Sequence, residues 1–188
     1  MADVNLSRPA AAATTPDSRG SEGRGSGPAL TELRWDIIEL LFFAYRDFVG
    51  EPDGVLAKFG FGRAHHRVLH FVNRSPGMKV AELLDILKIT KQSLARVLKQ
   101  LVDEGYIAQK AGAKDRRQRL LYVTPKGEAL AMKLASLQTE RVRMALSELG
   151  AGAHEMARRF LTGMVNSENR EKALRFIACA DLARRQRS

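Results

Sequence analysis

The chain has 188 residues, 45% of them hydrophobic, and 31 Lys and Arg against 21 Asp and Glu, a net charge of +10. This suffices for one packed domain with appendages, and so large a cationic excess points to a polyanionic partner, nucleic acid before an anionic membrane surface. The single cysteine, Cys179, excludes an intrachain disulfide framework and a CxxC metal knuckle, and no run of about 18 apolar residues is present to cross a membrane.

Residues 1–29 are rich in Ala, Thr, Ser, Gly and Pro, with one Leu and one Val. They cannot bury enough apolar area to offset the entropy of ordering, so a disordered tail is expected. A basic stretch followed by an apolar core is missing there, which argues against a secretory signal and for a cytoplasmic location. Residues 31–49 read as a helix with two apolar stripes. One carries Leu33, Ile37, Leu40, Leu41, Ala44 and Phe48, the other Trp35, Ile38, Phe42, Tyr45 and Val49. A helix apolar nearly all round needs cover on most of its circumference. Either it is a central core helix or, the sharper reading, it is buried between two subunits through Trp35, Ile38, Phe42 and Tyr45. Residues 50–62, with their glycines and Pro52, read as a connection.

A second helix is predicted over 63–73, ended by Ser75-Pro76-Gly77, and a short third over 79–87. A fourth spans 90–104, with Thr90 as N-cap, an apolar stripe of Leu94, Val97, Leu98, Leu101 and Val102, and Gly105 as C-terminal cap. Strands are expected at 106–109 and 119–123, joined by a basic tip. Thr124-Pro125 starts a helix running to about 149, and residues 153–165 and 168–184 read as two more. The charge is concentrated in the middle: residues 88–119 hold nine basic and three acidic groups. A solvated basic tail therefore does not account for the excess.

A short helix, a tight turn, a longer helix and a basic hairpin form a winged helix-turn-helix, so the fold expected is mainly α with a small β-hairpin wing. In that arrangement the second helix enters the major groove and the hairpin tip reaches the adjacent backbone or minor groove. The solvent side of the 90–104 helix presents Gln92, Arg96, Lys99 and Asp103 on one face. Gln pairs with adenine and Arg with guanine, while Ser93 and Ala95 are small enough for close approach. Thr90, Lys91 and Lys99 are expected at phosphates.

The stretches Arg67-Val-Leu69, Val80-Ala-Glu-Leu-Leu84, Thr90-Lys-Gln-Ser-Leu-Ala-Arg-Val-Leu98, Leu101-Val-Asp-Glu-Gly-Tyr-Ile107, Asp115-Arg-Arg117 and Val123-Thr-Pro-Lys-Gly127 resemble the MarR family of bacterial transcriptional regulators, and within it the PetP-like branch. The likeness covers about residues 30–165, with Val123 where the family usually has Leu. It implies a homodimer with intertwined N- and C-terminal helices on a pseudo-palindromic operator, more in keeping with a repressor than an activator. It implies Gln92, Ser93 and Arg96 in the major groove. In the wing, Arg117 would enter the minor groove, Asp115 would orient it, and Arg116 and Arg119 would lie beside them. The domain plan is then a tail at 1–29, a dimerisation helix and connection at 30–62, the DNA-binding domain at 63–127 and dimerisation helices at 128–188. The tail and the helix after about 168 depart from the family pattern.

The resemblance also implies a small phenolic or lipophilic effector between the dimer helices and the DNA-binding lobe, with Phe42, Arg46, His66 and His70 as lining candidates. Those side chains have a plainer reading as core and surface. His65, His66 and His70 lack a third ligand nearby in sequence, so no metal or cofactor is expected. Cys179, set among Ile and Ala, reads as a buried small residue rather than an oxidant sensor. Gly-x-Ser-x-Gly, P-loop and HExxH motifs are absent, which argues against an enzyme. Two alternatives are a sequence-tolerant nucleic-acid binder and a winged-helix protein-interaction module.

Overall fold

The computed structural model describes residues 33–112, 115 and 117–185. The expected disordered tail lies outside them. Helices α1 (Trp35–Ala57) and α2 (Arg63–Arg74) are followed by a two-residue strand β1 (Met78–Lys79), α3 (Val80–Leu87) and α4 (Lys91–Asp103). Strands β2 (Ile107–Ala111) and β3 (Arg119–Val123) form the wing, and α5 (Pro125–Ser147), α6 (Ala153–Met164) and α7 (Ser167–Arg185) complete the chain. The sheet is antiparallel in the order β1-β3-β2, with Met78 opposite Leu121 and Ile107 opposite Val123.

Four expectations need correction. The first helix does not stop at residue 49 but runs to Ala57, through Pro52 and most of the predicted connection. An interior proline costs a helix about 3 kcal/mol. Here Val49, Pro52 and Leu56 line the buried side of α1, and their packing outweighs the local preference. The hairpin gains a third strand, β1, too short to show any alternation in sequence. The strand predicted at 106–109 lies at 107–111, because Tyr106 is held by a different contact described below. Cys179 is exposed rather than buried.

The core gathers Val68, Leu69 and Val72 of α2, Leu83 of α3, Leu94, Leu98 and Leu101 of α4, Ile107 and Leu121 of the sheet, and Leu134 of α5. All the elements of the predicted helix-turn-helix thus meet on one apolar centre. The outer surfaces of α1 and α6 are different. Trp35, Ile38, Phe42 and Tyr45 on α1 stand exposed, Phe42 by 70% of its surface, as do Met156, Phe160 and Leu161 on α6. An apolar surface of this kind on a single chain marks an interaction face.

Candidate nucleic-acid interface

The turn between α3 and α4 is held from behind. Lys88 takes the left-handed conformation (φ 51°) that lets the chain reverse, and its N–H donates to the Leu84 carbonyl. Arg67 reaches across from α2 and donates through Nη2 to the Leu87 carbonyl at 3.0 Å, which caps the end of α3. Thr90 then opens α4. Its Oγ1 accepts from the Ser93 N–H at 3.1 Å and lies 3.0 Å from Ser93 Oγ. The Thr90 hydroxyl is therefore already engaged as a cap.

From this fixed start, Leu94, Val97, Leu98 and Leu101 turn inward and Lys91, Gln92, Ser93, Ala95, Arg96 and Lys99 turn outward. Gln92 and Arg96 lie one turn apart on the exposed face. Lys99 pairs with Asp103 at 2.5 Å, both side chains being more than half exposed. An exposed pair at this spacing holds by only about 0.3–0.5 kcal/mol, so Lys99 is readily released to another anion.

The wing tip is a folded loop. The Asp115 carboxylate accepts from the Arg117 N–H at 2.9 Å, its carbonyl accepts from the Gln118 N–H, and the Gly112 N–H donates to the Gln118 carbonyl. Asp115 thus shapes the loop that carries Arg117, and Arg117 and Arg119 are exposed. Arg116 lies outside the described residues.

Behind the wing, the ends of two helices are knotted together. Thr124 caps α5 by accepting from the Gly127 N–H, while its hydroxyl donates to the Gly105 carbonyl at 2.7 Å. The Thr124 N–H donates to the Tyr106 carbonyl. Lys126 Nζ donates to the Glu104 carbonyl at 2.9 Å and sits 4.1 Å above the Tyr106 ring. Gly127 lies so close that a Cβ there would stand 2.0 Å from the Tyr106 oxygen. The C-terminal end of α4 is thereby fastened to the first turn of α5. Thr124 was legible in sequence only as a cap; Lys126 and Gly127 gave no sign of this role.

The four effector candidates do not share one wall. His70 lines a cavity of about 710 Å3 between α2 and α5, with Asn73, Arg74, Glu128, Met132 and Glu140. His66 is buried nearby, whereas Phe42 and Arg46 do not line that cavity and Arg46 pairs with Asp47. Among the described residues no three His, Cys, Asp or Glu side chains are grouped to hold a metal ion.

Burial lowers the His70 imidazole pKa to about 4, with the neighbouring His66 and Arg74 pushing the same way. Burial also lowers that of His66. A histidine kept neutral in the fold but free to ionise when unfolded stabilises the fold fully above the unfolded value. That contribution is lost as pH falls from about 6.5 toward 4, to a limit of roughly 3 kcal/mol. Melting temperature should fall across this window, and His70→Phe should shrink the fall. An equal slope in both proteins would refute the assignment.

Comparison with known proteins agrees with this fold. The MarR family model matches residues 59–118. The chain is 43% identical over 129 residues to the HTH-type transcriptional regulator PetP of Rhodobacter capsulatus, covering 69% of this chain and 78% of that one. The chain belongs to the MarR family of transcriptional regulators. Among solved structures of this fold, Streptococcus pneumoniae FabT in complex with DNA superposes with a TM-score of 0.61 at 17% identity, over 69% of this chain and 92% of that chain. The Mycobacterium tuberculosis MarR family protein Rv2887, in complex with p-aminosalicylic acid, gives 0.50 at 24% identity, over 69% and 98%. Among the described residues no helix of this MarR family member is long and apolar enough to cross a membrane.

Proposed function

We propose that this MarR family regulator is a cytoplasmic, non-enzymatic repressor that binds a pseudo-palindromic operator in double-stranded DNA as a homodimer. The observation that carries the reading is the outward face of α4, where Gln92, Ser93 and Arg96 stand exposed beside an exposed, Asp115-ordered wing. The relative solved with DNA has the same fold. The apolar faces of α1 and α6 supply the dimer contact, with Trp35, Ile38, Phe42 and Tyr45 in it. Residues 30–62 and 128–188 then form the dimer layer and 63–127 the reading head. A small effector, of the kind bound by the ligand-complexed relative, would act at the His70 cavity.

Selection of bound DNA from a random pool is expected to return an inverted repeat, with half-sites about one helical turn apart. A pool that shows no enrichment would overturn the reading. Three side chains should then fail differently in titrations on operator and scrambled DNA. Arg96→Ala should weaken operator binding by about 1–3 kcal/mol and relax preference at one or two base pairs. Arg117→Ala should reduce preference for an A·T-rich flank and leave the core preference intact. Lys99→Ala should weaken all sequences alike and flatten the salt slope by roughly one unit. If Arg96→Ala lowers affinity for both DNAs equally, α4 is not the sequence reader.

A further inference from the structure

His65, on the first turn of α2, belongs neither to the cavity nor to the exposed face of α4. It nevertheless joins the loop before α2 to the C-terminal half of α4. The Gly62 N–H donates to His65 Nδ1 at 3.1 Å. His65 Nε2 lies 2.8 Å from Gln100 Oε1, and Gln100 Nε2 donates to Glu104 Oε1 at 2.9 Å. The direction of this chain is fixed by chemistry. A carboxylate only accepts, so the Gln100 amide must turn its NH2 to Glu104 and its oxygen to His65. His65 must then donate from Nε2, which leaves Nδ1 bare to accept from Gly62. Every link requires the others.

The ring is also held on one face. It stacks on Phe61 with centroids 4.8 Å apart and planes inclined by 11°, and Phe61 meets the edge of Tyr106 at 5.1 Å. Gln92, Arg96 and Gln100 are spaced four apart and lie along one ridge of α4. The first two turns of that ridge carry the proposed base contacts, and the third is pinned by His65.

We infer that His65 is a positioning residue for sequence reading: through Gln100 it sets the rotation of α4 about its own axis, and so the aim of Gln92 and Arg96 at the base edges. The inference rests on the operator-binding reading above. The backbone hydrogen bonds and apolar stripe of α4 keep the helix formed without the relay, so what the relay governs is discrimination more than stability.

The test uses the full-length protein. Gln100→Met keeps side-chain length and helix preference but breaks both links. His65→Phe keeps the stack on Phe61 and loses both hydrogen bonds. Each should lower the ratio of operator to scrambled-DNA affinity by about fivefold, the worth of one hydrogen bond, with scrambled-DNA affinity nearly unchanged. The double variant should lose no more than either single one, because both cut the same chain. The exchange Gln100→Glu with Glu104→Gln conserves charge, gives His65 a carboxylate to donate to, and lets the amide then at position 104 donate back. It should restore discrimination. Additive losses, equal losses on both DNAs, or no rescue would overturn the inference. Nitrogen NMR of the imidazole gives a separate readout: wild type should carry the proton on Nε2 alone, and Gln100→Met should mix the two tautomers. A wild-type Nδ1 proton would also overturn it. If wild type shows no operator preference, the operator reading fails by itself and the relay stands or falls on the tautomer.

Discussion

Gly127→Ala is expected to destabilise the protein by roughly 2–4 kcal/mol, although alanine is the better helix former. Two effects oppose each other. Removing a glycine from a helix gains up to about 1 kcal/mol in propensity. Against this, the new Cβ would sit 2.0 Å from the Tyr106 oxygen and 2.9 Å from its carbonyl carbon, both backbone atoms that no rotamer change can move. The first turn of α5 would have to lift from the end of α4, at an overpacking cost of about 1–3 kcal/mol or more. The Thr124 bonds to Gly105 and Tyr106 would be lost with it, at about 1 kcal/mol each. For a chain of this size the melting temperature should drop by about 10 °C. A variant that melts at or above the wild-type temperature, where a helix-propensity gain alone would leave it, would mean that the close approach is not part of the fold in solution.

Trp35→Asp is expected to convert the protein from twice the 20.8 kDa chain mass to a single chain in light scattering at micromolar concentration. Trp35 is 56% exposed on one chain and begins α1, beside Arg34 and Asp36. An acid in the first turn of a helix favours the helix dipole, so the substitution does not oppose local folding. Between subunits the same carboxylate would be buried without a partner, which costs several kcal/mol and is paid on both sides of a twofold contact. Operator affinity should collapse along with the dimer, since two half-sites would no longer be held together. A dimer of unchanged affinity would place the contact away from the start of α1.

The order of elements was readable because each left a local mark. Thr90 stands before an apolar stripe, Thr124-Pro125 opens α5, and β3 begins and ends at 119 and 123, the segment Arg119-Leu-Leu-Tyr-Val123 that reads as a strand. What the sequence hid depends on partners distant along the chain. Helix α1 passes Pro52 because Leu56 finds a core beyond it, and local preference pointed the other way. Strand β1 exists only because β3 offers a free edge to Met78 and Lys79. The contacts of His65 with Gln100, and of Gly127 with Tyr106, span 35 and 21 positions, and no spacing rule links such pairs. Of the effector candidates, His70 lines a cavity and Phe42 does not: the cavity lies between α2 and α5, and the Phe42 side chain on α1 is left exposed.

The fastening of α4 to α5 also makes the longer helix a lever. At 1.5 Å per residue the 23 residues of α5 extend about 35 Å. With its near end clamped by Thr124, Lys126 and Gly127, a tilt of about 5° applied at the far end swings the reading head by about 3 Å, close to the 3.4 Å rise of one base pair. In the proposed dimer, two heads carried on such arms would measure distance: they would tolerate little error in the gap between half-sites, and a small change of pitch between the subunits would put both heads out of step with the groove.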